Sequence, residues 1–357
     1  MTSLKKFYKN KRVFITGVTG FKGAWLALWL VKLGAKVYGL GHQPNKNKNL
    51  FYSLMLDKKI KLNLFDVRDY KKLERLLKKI RPNIVFHLAA QPLIYLSYKN
   101  PFGTFDVNFR GTLNLVDISR NIKSIKSIVS VTSDKCYESN NSTKGFKEKD
   151  RLGGIDPYSA SKASAEIMVR AYRKTFFNLK NKKVGISTAR AGNVIGGGDW
   201  SEKRLIPDCI RSIIKNKKIL VRNPFYNRPW QHVLEPLKGY LILAKKQFEN
   251  PKKFSGAWNF GTNQNSVTNV KSIVEYIIKF WGSGEMKMRK SKFYEQVNLQ
   301  LNIFKAKKNL NWEPTYNIKD NVKLTIDWYK RIHKLKENSL EVTSKQIDKY
   351  MHDSKIN

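Results

Sequence analysis

The stretch "RVFITGVTGFKGAWLALWLVKLG", Arg12 to Gly34, constrains this chain more than any other. A β-branched run ends in Gly17, an apolar helical pattern opens near Lys22, and Gly17, Gly20 and Gly23 stand between them. Glycines at that spacing permit a tight turn and let backbone approach a dinucleotide pyrophosphate held at the helix N-terminus. A glycine triplet alone says little. A strand before it and a helix after it make it a nucleotide-site signature.

The alternation continues. Strand-like segments at 35–41, 59–67, 83–90, 126–132 and 183–192 are separated by helical ones, including "RDYKKLERLLKKI", a region around 103–121 and a stretch from Pro157 to about 177. This order predicts an α/β chain with a doubly wound parallel Rossmann sheet over residues 1–192. Beyond 193 the pattern breaks up. A smaller, discontinuous substrate-binding region is expected over 193–330, interleaved with late sheet elements from about 225–262. Residues 331–357 read as a polar tail.

The net charge of +42 invites a nucleic-acid reading. The lysines, however, are scattered singly and in pairs, and residues 331–357 hold both signs rather than a basic tail. No nucleic-acid partner is expected; the charge suits a solvated surface and attraction of a small anionic substrate. Two cysteines, Cys136 and Cys209, with no CxxC pair and no metal-ligand spacing among the histidines, predict neither disulfide framework nor metal site. No apolar segment follows the basic N-terminus, and "AWLALWLV" is far too short to span a bilayer. A soluble, cytoplasmic protein without membrane partners is expected.

Two stretches carry reactive groups. "VTSDKCYE" takes a strand into Ser133, Asp134 and Lys135, and "DPYSASKASAE" spaces Tyr158 and Lys162 on one helix face. A lysine and a helix N-terminus beside a phenol should draw its pKa from about 10 towards neutrality. Such a tyrosine can take the proton of an alcohol while a nicotinamide accepts the hydride. Ser133, at a central strand tip, is expected to bond the same hydroxyl. After the second strand, Gly41 and His42 occupy the place where an acid usually holds the adenosine ribose, with Lys46 and Lys48 available to a 2′-phosphate. That leaves NAD and NADP undivided by residue chemistry alone. Asp66 is either an acceptor for the adenine amino group or the cap of the following helix.

The segments "TGFKGAWLALWL", "FHLAAQPL", "VTSDKCYE", "DPYSASKASAE", "ARAGNVIGGGDW", "RLIPD" and "RPWQHVLEPLKGYL" resemble the extended short-chain dehydrogenases/reductases. Those with tryptophan resemble the CDP-glucose 4,6-dehydratases among them, and the likeness covers about residues 8 to 330. It implies NAD as cofactor and CDP-glucose as substrate: oxidation at C4, loss of water across C5 and C6, and hydride return to C6, in deoxysugar biosynthesis. Ser133, Tyr158 and Lys162 would then serve oxidation, and Asp134 would protonate the leaving hydroxyl. Lys135 stands where dTDP-glucose and GDP-mannose dehydratases carry a glutamate base. The resemblance further implies cofactor contacts from Phe21, Lys22, Val67, Ala89 and Asn108, alongside the glycines and Asp66. It implies substrate contacts from Gln91, Asn193, Arg204, Leu205, Arg228 and His232, although Arg228 also suits a structural ion pair. Val18 departs from the histidine that relatives often have. A homo-oligomer, dimer or tetramer, is expected. The alternatives are another nucleotide-sugar 4,6-dehydratase or a 4-epimerase of the same superfamily; an epimerase needs Tyr158 and Lys162 but no acid beside Ser133.

Overall fold

The computed structural model describes residues 3–44, 49–138, 145–177, 184–263, 268–289 and 299–355. Seven strands form one sheet: β1 (Arg12–Thr16), β2 (Lys36–Gly41), β3 (Lys61–Leu64), β4 (Ile84–His87), β5 (Ser127–Val131), β6 (Gly185–Ala191) and β7 (Gly256–Phe260). Their order is β7-β6-β5-β4-β1-β2-β3, with every pair parallel. Every residue of β4, β5 and β6 is buried, because helices cover both faces of the sheet. Edge strand β3 has no buried residue. Strand order reverses at β1, between β4 and β2. Open α/β sheets bind ligands at such a switch point, beyond the carboxyl ends of the strands.

Local chemistry sets the helices beside that crevice. Helix α1 (Phe21–Lys32) is apolar around most of its circumference and is buried almost throughout. Helix α2 (Tyr70–Ile80) buries only the stripe Leu73, Leu77 and Ile80, and Asp69 caps it through the Lys72 amide. The helical region expected around 103–121 is divided: a short helix Pro101–Phe105, a π turn over Asp106–Arg110, and α3 (Gly111–Ser119). Helix α4 (Pro157–Tyr172) starts with proline in its first turn and an Asp156 cap on the Ser159 amide.

After β6 the chain leaves the sheet. It builds α5 (Leu205–Ile214), a two-residue pairing of 194–195 with 231–232, and α6 (Leu234–Glu249), then returns as β7 beside β6. Helix α7 (Val270–Trp281) packs against α8 (Ile318–His333). One continuous apolar core joins α1, β1, α6, α7 and α8.

The polar tail expected over 331–357 is corrected. Its first residues finish α8, and Ser339–Asp353 forms helix α9, capped by Asn338, with Val342, Ile347 and Tyr350 fully buried. The Tyr350 ring meets Trp29 of α1 edge-on at 5.8 Å, and its hydroxyl donates to Glu235 at 2.6 Å. Lys32 pairs with Asp348. The polar residues that suggested a tail are the outer face of an amphipathic helix. Among the described residues no helix is long and apolar enough to cross a membrane.

Candidate active site

At the cofactor end, Gly17 has φ +71°, and a Cβ there would lie 2.6 Å from the Ala89 amide nitrogen. Only glycine lets the β1 loop cross the end of β4 so closely. A Cβ at Gly23 would collide with the Gly17 carbonyl oxygen, so α1 is drawn tight against the loop. No acid occupies the first turn of α1, leaving its amide end positive in character. This cradle fits a dinucleotide pyrophosphate.

The adenosine end is organised around Asp66. Arg68 donates to it from its amide at 2.8 Å, from Nε at 2.9 Å and from Nη2 at 2.6 Å, and reaches Asp106 with Nη1. Arg68 holds the Asp66 carboxyl below the usual range, against a smaller opposing effect of burial. His42 lies 3.5 Å from the same carboxylate. Asp69, not Asp66, caps α2. The Val67 side chain is in the core beneath α3. Lys46 and Lys48 lie outside the described residues.

Asn108 and Gln91 hold each other. The Asn108 amide donates to the Gln91 carbonyl at 3.1 Å and to Ser161 Oγ at 2.9 Å, and its Oδ1 accepts from the Gln91 amide at 2.8 Å. Gln91 donates to Thr104 and accepts from the Leu93 amide. Both side chains are thus committed within the protein.

At the reactive end, β5 delivers Ser133, whose hydroxyl donates to Asp134 Oδ1 at 3.0 Å and accepts from the Lys135 amide at 3.3 Å. The Tyr158 phenol is also within hydrogen-bond reach of Ser133. Strand tip and helix start therefore converge. Asp134 is 2% exposed, and its Oδ2 has no partner among the described residues. Burial pushes its carboxyl up, against the pull of Lys135, the Ser133 hydrogen bond, Lys22 and Arg228. The same desolvation brings Lys162 down to about 8 and Lys22 down to about 8.

The lowered phenol expected of Tyr158 is not what the fold produces. Burial pushes it up to about 12, outweighing the Ser133 hydrogen bond, and the charges of Asp134 and of the capping Asp156 push the same way. A spacing of four along the chain could not register desolvation.

Beneath the site, Glu166 follows Lys162 by one helical turn and is fully enclosed. It accepts from Thr132, from Thr188 and twice from Arg190, which also donates to the Tyr137 hydroxyl. Burial raises the Glu166 carboxyl, but Arg190 and the hydroxyl donors outweigh it and hold it below its usual range. This buried pair fastens α4 to β5 and β6. The glutamate was visible in "SKASAE"; its partner on β6 was not.

On the far wall, Arg204 precedes α5 and pairs with Asp199 at 3.3 Å, with Leu205 half-buried beside it. Asn193 is half-buried, and its carbonyl accepts from the Gln231 amide. Arg228 is buried over the Tyr226 ring at 5.5 Å, donates to the Asn227 carbonyl at 2.9 Å, and its charge acts on Asp134. His232 is corrected as a substrate contact: it is 0% exposed and edge-on to Trp25 at 5.6 Å, and burial drops it to about 3. Enclosed in this way, the ring offers no surface to the crevice. Asp199 was missed; its signal was an acid inside the glycine-rich "GGGDW". Among the described residues no cluster of His, Cys, Asp and Glu is placed to hold a metal ion.

A profile of the family described as GDP-mannose 4,6 dehydratase matches residues 14–325. A CDP-glucose 4,6-dehydratase from Salmonella typhimurium is 40% identical over 97% of this chain and 98% of its own. The chain belongs to this family of sugar-nucleotide 4,6-dehydratases. Members of wider kinship share its fold. A dTDP-glucose 4,6-dehydratase from Bacillus anthracis, solved in complex with NAD, superposes with a TM-score of 0.76 at 22% identity, over 91% of this chain and 98% of that one. A UDP-glucose 4-epimerase from Thermotoga maritima gives 0.78, also at 22% identity, over 91% and 100%. The dehydratase family and the α/β doubly wound fold thus agree with the site: an acid stands beside the serine, where an epimerase needs none.

Proposed function

We propose that the chain converts CDP-glucose to CDP-4-keto-6-deoxyglucose with NAD as its cofactor. The observation that carries this is Asp134, a buried carboxyl with one unpartnered oxygen, joined to Ser133 beside Tyr158. The glycine cradle of Gly17, Gly20 and Gly23 would hold NAD, which would supply the hydride exchange at C4 and C6. Ser133 orients the C4 hydroxyl, and Tyr158 accepts its proton with Lys162 alongside. The C4 ketone acidifies the C5 proton, and Lys135, in the middle of the turn Asp134–Cys136, is the base we assign to remove it. Asp134 gives its proton to the C6 hydroxyl, which leaves as water. Arg204, Arg228 and Asn193 surround the nucleotide diphosphate. The lowered lysines lie in the same positive chamber, which suits a dianion.

The test is to incubate the protein and NAD with CDP-, dTDP-, UDP- and GDP-sugars and follow mass. Loss of one water from CDP-glucose supports the reading. A product of unchanged mass would make this an epimerase.

Self-association is proposed as well. The helices Ile94–Lys99 and Pro101–Phe105 pack on α4, and together they expose Tyr98, Phe102 and Ile167. Light scattering should give a dimer or tetramer, and Phe102→Glu should shift it towards monomer.

A further inference from the structure

His87 ends β4, the strand beside the β5 that delivers Ser133, is 1% exposed, and has no part in the chemistry above. Its two ring nitrogens have different partners. Thr16 Oγ1 lies 2.7 Å from Nδ1, and Thr112 Oγ1 lies 2.9 Å from Nε2. The proton directions follow from the outer partners. Thr112 gives its single proton to the Asn108 carbonyl at 2.6 Å, which can only accept. Towards the imidazole Thr112 must therefore accept, so Nε2 carries hydrogen. Thr16 accepts from the Ala89 amide at 3.2 Å. A hydrogen on Nδ1 as well would leave the Thr16 proton with nowhere to go. Thr16 therefore donates to a bare Nδ1, and the ring is a neutral Nε2–H tautomer.

The resulting chain has a single direction and joins two parts of the site. It starts at the Ala89 amide, against which Gly17 packs, and reaches the π turn at Asn108. From there the Asn108 side chain donates to Ser161, whose hydroxyl donates to the Tyr158 carbonyl at 2.7 Å. We propose that His87 is a positioning residue: in this one tautomer it ties the nucleotide loop to the Tyr158 turn and so fixes the phenol against the cofactor strand. A π turn, with its widened backbone, puts the Asn108 carbonyl and side chain at the junction. The inference rests on Tyr158 being the oxidation base.

The test uses the whole enzyme with NAD and CDP-glucose. Thr112→Val and Ser161→Ala each interrupt the chain, and Thr112→Ser restores the hydroxyl. Small misplacements of a reacting group are costly, so kcat should fall roughly tenfold in either interrupted variant, with KM for CDP-glucose nearly unchanged. The double variant should be no slower than the worse single, because one path is cut once. Thr112→Ser should recover most of the rate. In 15N-histidine spectra His87 should show the Nε2–H tautomer and not titrate between about pH 5 and pH 9. The inference is overturned if the losses multiply, if Thr112→Ser is as slow as Thr112→Val, or if His87 titrates or carries its proton on Nδ1. Tyr158→Phe separates the two readings. If it keeps full oxidation the base assignment fails; if it is dead while Thr112→Val is normal, only the role of His87 fails.

Discussion

Asp66 and Asp134 both sit just beyond a parallel strand, one at the adenosine end of the crevice and one at the reactive end, and their surroundings drive them in opposite directions. Asp66 is gripped by Arg68 through both oxygens and keeps its charge. Asp134 has a neighbouring hydroxyl and, among the described residues, one oxygen without a partner and no bonded cation, and burial favours its neutral form. A binding end needs a fixed acceptor, whereas a reacting end needs a proton it can release. The same residue type serves both because the partner, not the residue, sets the protonation state.

The largest effects should separate the two ends. Asp134→Asn is expected to slow elimination by roughly 10²–10⁴ while leaving C4 oxidation intact. Rapid mixing with CDP-glucose should then show a reduced-nicotinamide band that persists on the protein. Tyr158→Phe should lose activity on a similar scale without that band. If Asp134→Asn turned over normally, the contrast between the two aspartates would have no catalytic meaning.

Next in size is the buried pair under the reactive end. Arg190→Met leaves Glu166 enclosed without its cation, which should cost about 3–5 kcal/mol of stability. Urea unfolding with an unchanged m-value would measure it. A shift of a few tenths would mean that the hydroxyls of Thr132 and Thr188 suffice.

The pH dependence is smaller, and its sign is fixed. Asp134 acts while protonated, and its folded pKa is raised. The limb of the elimination rate that belongs to Asp134 should fall as pH rises through that pKa, by up to about tenfold per unit. Asp134→Asn should remove this limb. Stability follows the same sign: a raised carboxyl favours folding below its unfolded pKa and loses that advantage as pH rises.

The smallest effect belongs to the adenosine end. Asp66 and Arg68 are partly exposed, so water screens their pairing, and Arg68→Ala should cost no more than about 1 kcal/mol at neutral pH. Because the Asp66 pKa is lowered, this difference should be present above the ordinary carboxylate pKa of about 4 and vanish as pH falls below it. A cost that grew in acid would reverse the assignment.

Much of this was legible in sequence because it is periodic or adjacent. The six strands of the first half, the glycine turn, and the four-residue step from Tyr158 to Lys162 depend on neighbours along the chain. What escaped depends on neighbours in space. The Tyr158 phenol rose rather than fell because enclosure outweighed the Ser133 hydrogen bond and the charge of Arg204. The histidine in "RPWQHV" looked like a pocket residue until Trp25 covered it. Helix α9 read as a tail because its buried apolar residues, Val342, Ile347 and Tyr350, are few among charges. Arg68 is a different case, since it stands two places from Asp66 and the pairing could have been weighed.

The return of β7 has a consequence for how the protein is made. Strand β6 has a partner on one side only until residues 256–260 emerge, long after the rest of the sheet could assemble. At roughly 5–20 residues per second, that edge stays open on the ribosome for seconds. It is seven residues long and uncharged apart from Arg190, the kind of strand that recruits another chain. A nascent chain halted after β6 should therefore appear in the insoluble fraction, and one extended past Phe260 should not. The excursion between β6 and β7 is in this sense an interval during synthesis, and β7 is the strand that closes it.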